Sequence, residues 1–187
     1  GTAGKSAIQL AREILHTLGG LHGLLHADVK EFIKIKGLGT AKYAQLQAVL
    51  ALCQRYLKQA IQRQDVFNHV RDTKQFLVLK MRGLTQEIFA VLFLDTQNRL
   101  IAYEQLFNGT VNTTAVYPRE VVKRALYHNA SALIVAHNHP SGDASPSQAD
   151  KVLTKRLTQT LDLVDIRLLD HIIVGDAAIF SFAEHGI

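Results

Sequence analysis

Two short, dense apolar runs, "EIFAVLFLD" (residues 87–95) and "SALIVAHNHP" (131–140), constrain this chain most. Each holds an unbroken apolar stretch, 88–94 and 132–136, rather than an apolar residue at every second position. A strand of that kind needs cover on both faces, as in the interior of a sheet flanked by helices. The segments around them supply the cover. "RLIAYEQLFNGT" reads as a second strand entered through the polar turn "DTQN", and "IRLLDHIIVG" and "AIFSF" as further strands. "PREVVKRALYHNA" and "PSQADKVLTKRLTQTLDLV" read as helices opened by Pro118 and Pro146, the favoured first helical position. Val66, Val70, Leu77 and Met81 carry helical spacing before the first strand. Strands interleaved with helices give an α/β fold of the α+β type, a mixed sheet flanked by helices.

The first third reads differently. Ile8, Leu10, Ala11, Ile14, Leu15 and Leu18 recur at helical spacing, "LGGLHG" breaks the pattern, and a short helix is expected over 28–33 with Asp28 near its N-terminus. "IKGLGTAKYAQLQAVLALCQRYLKQAI" is a glycine turn followed by a long amphipathic helix, with Thr40 as cap. The expected organisation is an all-α module over residues 1–64 and an α/β domain over 65–187, joined by the polar "QRQDVFN". Charge divides along the same line. Of the formal net charge of +5, residues 1–64 hold nine Lys and Arg against three acids, and residues 65–187 twelve against thirteen.

No uninterrupted apolar run reaches the roughly 20 residues of a membrane helix, and the first residues lack the order of a signal peptide. The reading is a soluble cytoplasmic protein with no membrane partner. Cys53, the single cysteine, reads as a small apolar core residue without a catalytic role.

Chemistry concentrates at "AHNHPSGDASPSQAD" (136–150). Residues two apart on a strand face one side, so His137 and His139 point the same way. Pro140 and Gly142 turn the chain, Ser145 is a natural N-cap with Pro146 as first helical residue, and Ser147 and Asp150 then share a helix face. Two imidazoles and one carboxylate around an ion leave a fourth position open, the catalytic form of a zinc site. Asn138 faces the other way and reads as structural. Asp143 reads as a turn residue or as a group supporting the ligands, Asp170 and His171 as members of an apolar strand with a buried, hydrogen-bonded histidine, and Arg119 as unassigned. His16, His22, His26, His69, His128 and His185 are scattered and receive no role.

His-x-His-Pro, ten residues to the Asp, and Ser three before it resemble the JAMM (MPN-plus) metalloprotease motif. Together with "FAVLFLDTQNRLI", "YPREVVKRAL" and "LLDHIIVG", the chain resembles the bacterial RadC family over nearly its whole length, including an N-terminal helix-hairpin-helix region matched by "IKGLGTAKYAQLQA". The resemblance implies a JAMM/MPN-like, cytidine-deaminase-like domain with one Zn²⁺ per chain, held by His137, His139 and Asp150. It implies hydrolysis of an amide or isopeptide bond in a protein or peptide by a zinc-activated water. It further implies a glutamate acid/base, mapped by order onto Glu87 with Glu104 and Glu120 as rivals, and Ser147 as oxyanion donor. Members usually carry a further stretch ahead of "GTAGKSAIQLA", so a truncated chain is expected. The family's name carries a historical link to DNA repair.

The alternative is a DNA-binding accessory protein with a structural or vestigial metal site. The hairpin of Ile35 to Ala48 would meet the DNA backbone non-specifically through Lys34, Lys36, Gly37, Gly39 and Lys42. The competing view of the same hairpin is a structural element that docks on protein.

Overall fold

A computed structural model describes residues 4–63, 70–109 and 116–186. It divides into two compact units, Gly1–Arg55 and Tyr56–Ile187. The expected joint at 64–65 and the helical position Val66 lie outside the described residues. No helix among the described residues is long and apolar enough to cross a membrane.

In the first unit α1 (Ala7–Thr17) is opened by Ser6 in a capping box with Gln9, and buries Leu10 and Ile14. The expected break "LGGLHG" shrinks to its first residues. Gly19 and Gly20 take positive φ of 73° and 94° and α2 (Gly20–His26) coils at once behind the turn, because glycine reaches that region without strain. Asp28 caps α3 (Val29–Phe32), accepting the Lys30 N–H at 2.7 Å. The turn into α4 (Thr40–Arg63) passes through Gly37 at φ 91°. Thr40 is the first helical residue, so the cap position falls to Gly39, whose carbonyl accepts the Tyr43 N–H. The Lys42 ammonium donates to the Gly37 carbonyl at 2.6 Å and closes the turn on itself. Cys53 is exposed, not the core residue expected, because it falls on the outward side of α4.

The second unit is a five-stranded mixed sheet between two helical layers. It comprises α5 (Val70–Met81), β1 (Ile88–Leu94), β2 (Leu100–Asn108), α6 (Pro118–Tyr127), β3 (Ala132–Asn138), α7 (Gln148–Asp162), β4 (Arg167–Val174), β5 (Ile179–Ser181) and a 3-10 turn over Ala183–His185. The order across the sheet is β2-β1-β3-β4-β5. Among the described strands only β3 and β4 run parallel, and α7 is the crossover between them. β1 and β3 are the inner strands that the dense apolar runs demanded, and both are buried along nearly their full length.

Alternation assigns each side chain to a face. Ala90, Leu92, Leu94, Ala132, Ile134 and Ala136 pack on Phe76, Leu77 and Met81 of α5. Phe89, Val91, Phe93, Leu133 and Val135 pack on Val121 and Ala125 of α6 and Leu157 and Leu161 of α7. Each fully buried Phe, Leu or Met contributes about 1.5–3 kcal/mol. This face leads to the site, since His137 continues the row Leu133, Val135 at the C-terminal end of β3.

Candidate metal centre

The antiparallel register of β1 on β3 pairs Phe89 with His137. Extended by two residues it sets Glu87, just ahead of β1, across from His139, just beyond β3. Phe89 and His137 lie on the α6/α7 face, and Glu87 and His139 follow at the adjoining ends of the two strands, where the Glu87 charge acts on His139. The third ligand candidate arrives from α7. That helix begins at Gln148, two residues later than the Ser145–Pro146 start expected, and Ser147 is its N-cap. The physical reason is a capping box. Ser147 Oγ accepts the Asp150 N–H at 3.1 Å, and Asp150 Oδ2 accepts the Ser147 N–H at 2.7 Å, which satisfies two orphan donors reciprocally. The Ser145 N–H is already taken by Asp143 Oδ1 at 2.8 Å.

The three groups converge. His137 Nε2 lies 2.9 Å from His139 Nε2 and 3.2 Å from Asp150 Oδ1, and His139 Nε2 lies 3.6 Å from Asp150 Oδ2. A tetrahedral zinc with bonds of ~2.0–2.1 Å holds its ligand atoms roughly 3.3 Å apart, a value these separations bracket. The three form a group able to hold a metal ion. Donor chemistry agrees. The His139 Nδ1–H donates to the Asp143 carbonyl at 2.7 Å, which leaves a lone pair on Nε2 in the neutral ring. His137 is 2 % exposed, and its Nδ1 lies 2.8 Å from Nε2 of His171.

Electrostatics follow from that crowding. Burial works against ionisation of Asp150, yet hydrogen bonds from His137, His139 and Ser147 outweigh it and hold the carboxyl far below the usual carboxylate range. Asp150, through its hydrogen bond, raises the basicity of His139 against partial burial, with smaller help from the Asp143 carbonyl and the charge of Glu87. A metal therefore competes with a proton at His139.

The loop between ligands is tied down. His139 N–H donates to the Val174 carbonyl and Asp176 N–H to the Gly142 carbonyl, both at 3.0 Å. Gly142 has φ +85°, and a Cβ on Gly175 would stand 2.4 Å from the Gly142 oxygen, so the two glycines let the loops after β3 and β4 close on each other. Asn138 occupies the opposite face. Its Oδ1 accepts the Ile88 N–H at 2.8 Å, and its Nδ2 donates to the carbonyls of Gln86 at 3.0 Å and Leu84 at 3.3 Å. The residue between the histidines thus clamps the segment that carries Glu87.

Comparison with known proteins gives this arrangement its context. Residues 67–187 match the RadC-like JAB domain, and residues 1–44 match the UPF0758 N-terminal family. The chain belongs to the RadC-like JAB domain family. A UPF0758 protein of Pseudoalteromonas translucida is 57% identical over 187 residues, covering 100% of this chain and 84% of the relative. UPF0758 proteins of Thioalkalivibrio sulfidiphilus and Nitrosococcus oceani are 54% and 53% identical over all 187 residues, covering 83% and 84% of those relatives.

Within the JAB domain the two rival glutamates lie elsewhere. Glu104 on β2 is gripped by the Arg124 guanidinium, with His128 Nε2 2.8 Å away, on the α6 side. Glu120 sits in the first turn of α6, 3.1 Å from Lys123 and 3.5 Å from Arg119, and Arg119 also lies over the Tyr117 ring. Asp143 serves twice, its side chain shaping the turn and its carbonyl holding His139. Sequence reasoning passed over Thr154, which lies one helical turn beyond Asp150 and meets His171 Nδ1 at 2.6 Å. The i, i+4 spacing from Asp150 was its only signal.

Proposed function

We propose that the chain is a zinc-dependent hydrolase of the JAMM type that cuts amide or isopeptide bonds in a protein or peptide. The reading is carried by the convergence of two imidazole nitrogens and one carboxylate at the end of β3, with Glu87 across the strand pair. A His₂-carboxylate set suits zinc with a free position for reaction. When bound, zinc supplies a Lewis acid that polarises a carbonyl and brings the pKa of a water molecule down to about 7.

The chain's own groups do the rest. His137, His139 and Asp150 would hold the ion. Glu87, on a segment fixed by Asn138 and with its charge acting on His139, is the group that would take a proton from the attacking water and return it to the leaving amine. Ser147 donates to the carbonyl oxygen as negative charge develops on it. Its proton points to Asp150 Oδ2 at 2.7 Å, and rotation about Cβ–Oγ redirects it while Oγ still accepts the Asp150 N–H.

The test is hydrolysis of a fluorogenic peptide pair, one linked through a backbone amide and one through a lysine isopeptide bond. Activity is expected with the zinc-loaded protein, is expected to vanish on chelation, and to return when zinc is restored. Cleavage that survives full chelation would contradict the reading.

A further inference from the structure

His171 is buried at 0 % exposure. Phe182 stacks on its ring with centroids 4.9 Å apart and planes 12° apart, and Phe89 meets it edge-on at 6.1 Å. Asp170 secures that cover, since its two carboxylate oxygens accept the Ser181 hydroxyl at 2.7 Å and the Ala183 N–H at 3.0 Å on either side of Phe182. Both ring nitrogens of His171 are engaged, Nε2 with His137 Nδ1 at 2.8 Å and Nδ1 with Thr154 Oγ1 at 2.6 Å. It has no nitrogen left for a metal.

Counting protons fixes the direction of every bond in this row. Thr154 Oγ1 owns one proton and lies 2.6 Å from the Asp150 carbonyl oxygen, which can only accept. If that proton went to His171 instead, two oxygen acceptors would face each other at that distance. It therefore goes to Asp150, and Oγ1 accepts from His171 Nδ1–H. His171 is fully enclosed between Phe182 and Phe89, where a charged ring is disfavoured, so its one proton is spent there and Nε2 bears a lone pair. His137 Nδ1 must then carry a proton to donate to it, which leaves Nε2, facing Asp150 and His139, as the nitrogen on which a metal can take the place of a proton.

We propose that Thr154 and His171 form a proton-placing relay that fixes His137 in the tautomer able to ligate through Nε2, acting as positioning residues and not as ligands. The proposal rests on the reading of His137, His139 and Asp150 as a metal site. It gives α7 two duties: Asp150 brings the carboxylate, and Thr154, one turn on, sets the tautomer of the first imidazole. The residue behind a ligating histidine commonly fixes its tautomer and ring orientation; here that residue is a neutral imidazole, itself oriented by a hydroxyl.

Long-range ¹H–¹⁵N spectra of the full chain read the tautomers directly, and competition with a chromophoric chelator reads zinc affinity. In the wild type His137 and His171 should both carry their proton on Nδ1. In Thr154→Val, His171 loses the acceptor for its Nδ1–H; its proton shifts to Nε2, that of His137 moves to Nε2, and zinc affinity falls about 10–100-fold. Thr154→Ser should match the wild type in both readouts. A wild-type His171 protonated on Nε2, or Thr154→Val with unchanged zinc affinity, would overturn the relay. If Thr154→Val does not fold, the wild-type tautomers and the serine variant still decide. Nδ1 protons on both rings in a wild type that takes up no zinc would uphold the relay and remove the metal reading instead.

Discussion

Asp150→Ala is expected to lower zinc affinity by more than about 100-fold and to destabilise the metal-free protein by about 1 kcal/mol, two losses with separate origins. Residues that merely support metal ligands are commonly worth 10–100-fold, so loss of the one anionic ligand should exceed that range. The stability term comes from the capping box, in which Asp150 Oδ2 accepts the Ser147 N–H at 2.7 Å. Asp150→Asn separates the two. Its amide oxygen can still accept that N–H, so the urea midpoint should recover, while a neutral oxygen cannot replace the carboxylate and zinc affinity should stay low. An Asn variant that regains wild-type zinc affinity would show that the carboxylate charge is not part of the site.

Glu87→Gln is expected to leave fold and zinc content unchanged and to reduce peptide or isopeptide hydrolysis about 10²–10⁴-fold, the usual contribution of a positioned general acid/base. Gln has the same shape and can accept a hydrogen bond, but it cannot carry a proton from water to the leaving amine. Glu104→Gln serves as the control. It breaks an ion pair with Arg124 of α6, and hydrolysis should stay within about threefold of wild type, as expected for a partly exposed pair. Equal losses in the two variants would deny Glu87 its role.

How far the sequence spoke differed by kind of interaction. Local periodicity placed the strands and helices of the second unit, because β1 and the first five residues of β3 are unbroken apolar runs, and His137 at the end of β3 and His139 just beyond it keep a two-residue rhythm. The sheet order β2-β1-β3-β4-β5 was not legible, since it depends on pairings between segments far apart in the chain. Helix starts slipped where two caps competed. Ser145 precedes a proline and is the better signal by itself, yet Ser147 wins because Asp150 can reciprocate three residues on. Cys53 was misjudged because an apolar neighbourhood in sequence does not say which side of α4 faces outward. His171 was visible as a buried histidine, but Thr154 carries no motif, and its part emerges only when α7 is laid beside β4.

Metal content measured by mass spectrometry on purified protein after zinc loading and exhaustive dialysis tests the central claim most directly. The wild type should hold one zinc per chain, and His137→Ala, folded by circular dichroism, should hold none. A wild type that retains no zinc, or a His137→Ala variant that still retains one, would contradict the assignment of His137, His139 and Asp150 as a metal centre.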